Sequence, residues 1–216
     1  MMDAKIEDKQ IIFQMEAAVG HNSAISNADL DACLPIVSLG TGDWNRIGAR
    51  ISPKSLVVRG TVYITSRDMD INRPIEVRLL GFTQNDLRNC AQVADVDTAN
   101  LLRGFNGATV PYDGTLTNQT FPINDELFKR LFDKKIKLSE QIAGTYEGAD
   151  FRTSAYHYSF KIKCPKYLKY DGTDNYPNNF APFMAVGYTY LDGSAPDEVL
   201  ANVHNESHCH LKYEDA

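Results

Sequence analysis

The sequence predicts an all-β protein, a single eight-stranded antiparallel jelly-roll β-sandwich with long inter-strand loops. Apolar and polar residues alternate with a period of two in segment after segment, whereas helical patterning with caps is scarce. Eight candidate strands fit within the 216 residues, so we expect residues 1–216 to form one domain with a full core. Two packed sheets suit such strands, and the jelly roll is the leading arrangement, with an up-and-down barrel as the alternative.

Three strands are predicted in the N-terminal part of the chain. Residues 9–19 are rich in β-branched and aromatic side chains, and residues 55–66 and 73–83 alternate between apolar and polar. The second of these strands contains Gly60. A glycine inside a strand predicts a bulge, or a bend at which the inward and outward faces exchange.

A long connection follows at residues 84–125. Within it, residues 94–102 are predicted to be helical, because acidic residues lie near the start of this segment and Gly104 lies beyond its end. Loops of this length inside compact domains usually have a function or bind a partner. We therefore expect this connection to contribute to contacts between subunits or with a ligand.

The remaining strands are predicted in the C-terminal part. Residues 126–140 read as a hairpin that turns near Asp133 and Lys134. Residues 154–165 show the clearest alternation in the chain, with aromatic residues on one face and lysines on the other. The last two strands are predicted at residues 180–193 and 202–213.

The composition is that of a folded, soluble protein. The hydrophobic fraction of 43% and the charged fraction of 23% are close to the averages for globular domains. No apolar run approaches the roughly 18 residues that a membrane-spanning helix needs, so we expect no membrane insertion. The four cysteines, Cys33, Cys90, Cys164 and Cys209, are far apart and form no CxxC pair, which predicts free and mostly buried thiols.

Charge is segregated along the chain. The net charge is −6, but successive segments alternate in sign. The sums are −5 for residues 1–45, +4 for 46–90, −4 for 91–128, +6 for 129–170 and −7 for 171–216. If the fold gathers the two basic segments, the molecule has a basic face; if it scatters them, the charges only solvate the surface.

Three histidines near the C-terminus are the one cluster with metal-ligand residue types. His204, His208 and His210 share one face of the predicted last strand, as metal-binding pairs do in some β-sandwich enzymes. The sequence names no further ligand, and a polar strand face explains the same pattern. No nucleophile elbow, HExxH, P-loop or dinucleotide motif occurs, so we expect neither an enzyme nor a cofactor.

Two kinds of binding surface are suggested by charged and aromatic residues. Lysines and tyrosines interleave around residues 161–170, a pattern typical of proteins that hold single-stranded nucleic acid. The alternative is that these lysines discourage pairing at a sheet edge. Aromatic residues such as Trp44, Tyr112 and Tyr176 also leave open a carbohydrate-binding module, in which the rings stack on sugars.

The segment "LGTGDWNRIGARISPKSLVVRGTV", residues 39–62, is the most distinctive in the chain. A glycine-containing turn leads into Arg46, an Ile-Gly pair, an isoleucine, the pair Lys54–Ser55 and the strand "LVVRG". Two weaker motifs follow in order: "LFDKKIKLSE" at residues 131–140 and "YSFKIKCPKYLKYDG" at residues 158–172. Together they resemble the capsid proteins of circovirus-like, replication-initiator-encoding, circular single-stranded DNA (CRESS-DNA) viruses.

The resemblance implies a subunit that assembles with about 60 copies of itself into a T=1-like icosahedral shell around circular single-stranded DNA. It implies a virion protein, present in the host-cell nucleus during assembly, and says nothing of the host attachment factor. Genome contacts on the inner face are expected from Lys54, Arg59, Lys161, Lys163 and Lys166. Contacts between subunits are expected from Trp44, Arg46, Arg50, Phe105 and Tyr112.

One feature departs from the family pattern. Family members usually begin with an arginine- and lysine-rich arm, whereas the sequence printed here begins with the acidic "MMDAKIEDK". We expect either that the arm lies outside this numbering or that bases on the strands, such as Lys54, Arg59, Lys161 and Lys163, take its place.

Overall fold

The computed structural model describes residues 8–20, 24–66, 74–139, 141–146, 149–193 and 203–215. These residues hold twelve β-strands and five short 3₁₀ turns. The strands are β1 (Asp8–Gly20), β2 (Leu30–Ala32), β3 (Arg50–Ser66), β4 (Ile75–Gln84), β5 (Leu102–Arg103), β6 (Thr109–Val110), β7 (Phe128–Leu138), β8 (Gln141–Tyr146), β9 (Ala149–Ile162), β10 (Leu168–Lys169), β11 (Phe183–Tyr190) and β12 (Val203–Asp215). The 3₁₀ turns are Asn27–Asp29, Cys90–Asp95, Thr98–Asn100, Phe105–Gly107 and Leu116–Gln119.

Ten of the twelve strands form two antiparallel sheets in the order of a jelly roll, and, of the described strands, β5 and β6 pair only with each other. The first sheet runs β1-β12-β3-β9-β8, with β10 pairing β3, and the second runs β2-β11-β4-β7. The chain passes from one sheet to the other at most steps, and the first strand pairs with the last, β1 with β12. This order is that of a jelly roll and confirms the predicted antiparallel β-sandwich, whereas the predicted count of eight strands is not confirmed, because the described residues form twelve.

The core lies between the inner faces of the two sheets, as the period-two pattern requires. On β12 the odd-numbered residues from Val203 to Tyr213 are buried and the even-numbered ones are at least partly exposed. Strand β11 is buried along its whole length because the core covers one of its faces and the connection between β4 and β7 covers the other. The Tyr112 ring of this connection occupies the space that a Cβ atom on Gly187 would need.

Gly60 is not a bulge, in contrast to the prediction. Pairing is regular on both sides of it, and Leu56, Val58, Val62 and Ile64 all stay on the buried face. The irregularity in β3 lies instead at Lys54. Gly60 is required for close packing, because a Cβ there would stand 2.5 Å from the hydroxyl of Tyr158.

Replacing Gly60 with alanine is expected to lower the free energy of unfolding by about 1–3 kcal/mol, since the added methyl group overpacks the core. Denaturant unfolding measures the change. Ser159→Ala, at an exposed position on the adjacent strand, is the control and should change stability by less than about 0.5 kcal/mol. Equal stability of the two variants would contradict the packing role of Gly60.

The predicted hairpin at residues 126–140 is a single strand. Strand β7 pairs with β4 from Phe128 to Leu138, and Asp133, the expected turn position, lies opposite Leu80 in the middle of the strand. Because the backbone is extended there, the Asp133 carboxylate lies beside Arg78 and accepts two hydrogen bonds from its guanidinium. A turn at this position would break both the pairing and the ion pair.

The predicted helix at residues 94–102 is also absent. The chain forms the 3₁₀ turns Cys90–Asp95 and Thr98–Asn100 there instead. The Asn27 side-chain amide donates to the carbonyls of Ala94 at 2.7 Å and Val96 at 2.9 Å. These carbonyls therefore accept hydrogen bonds from a side chain that is distant in sequence, whereas in an α-helix they would accept them from backbone N–H groups of the helix.

The cysteine prediction is confirmed. All four thiols are free, and Cys33, Cys90 and Cys209 are buried. Burial raises the pKa of the Cys209 thiol to about 12, with Asp31 adding to the effect. No helix among the described residues is long and apolar enough to span a membrane.

Candidate functional site

The outer face of the first sheet is a surface rich in basic and histidine side chains. The alternation of β12 directs His204, Glu206, His208 and His210 to this face. In register, His208 lies beside Arg59 of β3, and His157 of β9 lies beside Thr61. Every histidine in the part of the chain that the structure describes is therefore on this surface, which we call the histidine face.

The histidines are held by different partners. The Nδ1 atom of His157 lies 2.7 Å from the Thr61 hydroxyl, and Nε2 of His210 lies 3.3 Å from the Gln10 amide oxygen. The ring of His204 stacks on Tyr63 with a centroid distance of 5.3 Å. Burial lowers the pKa of His210, and Lys212, Arg59 and His208 lower it further. The neutral imidazole is thus favoured at His210.

The geometry gives no support to a metal centre on this face. Within the described ranges, no group of three or more His, Cys, Asp or Glu side chains is arranged to hold a metal ion. His204, His208 and His210 share the face that the sequence predicts. They are spread along it, and two of the three rings already contact other side chains.

The five expected genome-contact residues are all exposed but do not form one patch. Arg59 and Lys161 are diagonal neighbours on the outer face of β3 and β9. Lys54 pairs with Glu214 at 2.7 Å, and Lys166 lies over the Tyr167 ring at 5.2 Å. Lys161 also joins Lys163 at the rim of a groove between β9 and β7.

Arg46, expected at a subunit interface, is fully buried within the chain. Its Nη1 donates to the carbonyl of Gly48 at 2.7 Å, and its Nη2 donates to the carbonyls of Gly172 at 2.8 Å and Asp174 at 2.9 Å. The guanidinium lies 4.5 Å from the centroid of the Tyr170 ring. The assignment of Arg46 to an interface is therefore revised. Its side chain lies inside the molecule and holds the turn around residues 44–48 in place.

Tyr112 is likewise buried, and its interface assignment is revised for the same reason. Its hydroxyl accepts a hydrogen bond from Gln119 at 2.8 Å, and burial raises its pKa well above the usual value. A buried Tyr112 cannot join Trp44 and Tyr176 in a platform for sugar rings. Tyr112 therefore has no part in the carbohydrate-binding alternative.

The turn anchored by Arg46 presents apolar side chains to solvent. Trp44 and Ile47 are each 63% exposed, and Leu39 is exposed beside them; we call these three residues the tryptophan turn. Lys9, itself buried, donates to the carbonyl of Asn45 at 2.9 Å, and Asp215 accepts from the backbone of Ile47 at 3.3 Å. The turn is held by contacts to both the first and the last strand.

The other expected interface residues, Arg50 and Phe105, are exposed. Arg50 stacks over Tyr167 at 5.1 Å. Phe105 is 72% exposed and packs edge-on against Phe121, with Leu116 of the same connection also exposed. Sequence reasoning did not identify Ile47, Leu39 or Leu116, although their neighbours Trp44 and Phe105 marked the right segments.

No protein-family model matches the chain, and no curated protein matches it. Among solved structures, the chain is similar to one from Desmodium yellow mottle tymovirus, with 10% sequence identity and a TM-score of 0.39. The match covers 100% of this chain and 91% of that chain. A likeness at this distance carries no conclusion about function.

Proposed function

We propose that this chain is a viral coat subunit whose activity is self-assembly into a closed icosahedral shell around circular single-stranded DNA. The observation that carries the proposal is the exposure of large apolar side chains in two connections, at Trp44, Ile47 and Phe105 above all. Aromatic residues are enriched in interfaces between proteins relative to the rest of the protein surface.

The way in which the tryptophan turn is held supports a contact surface. Arg46, Lys9 and Asp215 fix its backbone from inside the molecule, so its apolar side chains stand in solvent on a rigid support. A preorganised surface loses less conformational entropy on binding than a flexible one. A second copy of the chain is the partner that the resemblance of residues 39–62 to the circovirus-like capsid proteins favours.

The two sheets are suited to different roles in such a shell. The outer face of the second sheet is covered by the chain's own β4–β7 connection through Tyr112, Gln119 and Asn118. The outer face of the first sheet carries the exposed side chains of Arg59 and Lys161. We assign the first sheet to the inside, where its cations neutralise phosphate. By the same resemblance, the shell contains about 60 copies in a T=1-like arrangement.

The double variant Trp44→Ala with Ile47→Ala tests the assembly surface. Because both side chains are exposed, folding should be unchanged, while the concentration needed for large assemblies should rise at least about tenfold, since aromatic anchors dominate interface energies. Sedimentation velocity measures the assemblies, and a thermal melt checks folding.

The matched control is Thr41→Ala with Asp43→Ala, two exposed polar positions in the same turn. The control should assemble as the unmodified chain does. Normal assembly of the Trp44/Ile47 variant would remove the tryptophan turn from the interface.

A further inference from the structure

A groove runs along the open side of the sandwich between β7 of the second sheet and the C-terminal end of β9 in the first. Its volume is about 700 Å³. Two side chains from different sheets, Phe132 and Phe160, stack with a centroid distance of 4.1 Å beside groove residues Leu131 and Lys161. The groove adjoins the histidine face at Lys161, which lies on the outer face of β9.

Five basic residues line this groove, and no acidic residue does among those that the structure describes. Arg88 comes from the connection after β4, Lys129 and Arg130 from the start of β7, Lys161 from the end of β9 and Lys163 from just beyond it. We call this site the basic groove. Three separate chain segments bring their cations to one place, which local sequence patterns do not reveal.

The described part of the chain does not neutralise the five cations. Within the described residues, none of them forms an ion pair or a side-chain hydrogen bond, and all five are exposed. Four other basic side chains of the described residues form ion pairs, among them Lys9 with Asp215 and Arg78 with Asp133, so the groove is distinguished by the gathering of its cations in one place. A concentration of unpaired cations creates a positive potential that attracts a polyanion.

Apolar side chains also line the groove, among them Leu87, Leu131, Pro165 and the partly exposed Phe180, beside polar ones such as Gln84. Single-stranded nucleic acid fits both properties, because its phosphates meet the cations while its unpaired bases rest on apolar and aromatic surface. A sulfated glycan would use only the charges, and the bases of a duplex are stacked on one another and cannot contact Phe180.

We infer that the basic groove binds a segment of single-stranded nucleic acid, with phosphates on Arg88, Lys129, Arg130, Lys161 and Lys163 and a base on Phe180. The inference rests on the proposed function only for the choice of nucleic acid as the occupant. It adds Arg88, Lys129 and Arg130 to the residues for which the sequence resemblance suggested a role in genome contact. Basic residues on edge strands also protect a sheet from pairing with other chains, and this role could explain the groove residues that lie on β7 and β9. It does not explain Arg88, which is not on a strand.

The test is the binding of a fluorescently labelled oligothymidylate to the full chain, measured by anisotropy over a series of salt concentrations. The triple variant Arg88→Ala, Lys129→Ala, Arg130→Ala should bind at least about tenfold more weakly, and the slope of log affinity against log salt should become shallower by about 2. The control is Lys134→Ala, Lys135→Ala, Lys137→Ala, which removes the same charge from exposed positions on the same strand. The control should stay within about twofold of the unmodified chain.

Phe180→Ala provides a second readout, because loss of stacking should weaken binding by about fivefold or more without changing the salt slope. Equal losses in the two triple variants would overturn the inference, since net charge alone would then explain binding. A groove variant that loses heparin binding but keeps oligothymidylate binding would also overturn it. The inference would also be overturned if the groove variant aggregated while its affinity for oligothymidylate stayed unchanged. That result would mean that the cations protect the sheet edges from pairing with other chains.

Electron microscopy of the same variants separates this inference from the proposed function. If the chain forms particles but its groove does not bind oligothymidylate, the inference about the groove is wrong and the proposed function is not affected. Groove-dependent binding by a chain that forms no particles would support the groove and overturn the shell.

Discussion

Arg78→Met is expected to lower the free energy of unfolding by about 3–5 kcal/mol, the usual result of removing one member of a buried ion pair. The Arg78 side chain is 1% exposed and binds Asp133 through two hydrogen bonds, Nε to Oδ1 at 3.0 Å and Nη2 to Oδ2 at 2.7 Å. It also donates to the carbonyls of Asn118 at 2.7 Å and Phe121 at 2.8 Å. The variant leaves a carboxylate and two carbonyls without this partner, and loosens the connection from the second sheet.

Equilibrium denaturation measures this change. Lys135→Met is the control, because Lys135 lies opposite Arg78 in the β4–β7 register and is exposed. It should change stability by less than about 0.5 kcal/mol. A loss below about 1 kcal/mol in Arg78→Met would contradict the role assigned to this pair.

Arg46→Leu is expected to cost about 3 kcal/mol, because three charge-assisted hydrogen bonds to carbonyls are lost together with the stack on Tyr170. Arg46→Lys should recover less than half of the loss, since an ammonium group cannot reproduce the planar fork or the stacking. The turn that Arg46 anchors also presents Trp44 and Ile47. Assembly should therefore weaken along with stability.

Thermal melts and sedimentation velocity test both effects. The control is Arg50→Leu, which removes an exposed arginine that stacks on Tyr167. Its cost in stability should be about 0.5–1 kcal/mol. If Arg46→Leu and Arg50→Leu were equally mild, the buried arginine would not be the anchor of the turn.

Much of the fold follows from local pattern. Strands β9, β11 and β12 were predicted from alternation or from a continuous apolar run, because each has one or both faces in the core. Strand β2 was missed, since three residues are too few to show a period. The false hairpin and the false helix share one cause: Arg78 and Asn27, both distant in sequence, hold the backbone at those places.

The site was less predictable for a related reason. The resemblance places Arg46 at a subunit interface, but its burial depends on carbonyls of Gly172 and Asp174 far along the chain. Arg88, Lys129 and Arg130 were not singled out, because the groove exists only once β7 and β9 are placed side by side. Two signals in the sequence point toward it: the sum of +6 for residues 129–170 and the lysines around residues 161–170.

Electron microscopy of the purified chain, over a range of salt and pH and with and without circular single-stranded DNA, tests the central proposal most directly. A coat subunit should give closed particles of uniform diameter, and single-stranded DNA should increase their number. Monomers or small oligomers under every condition would contradict self-assembly as the activity of this protein.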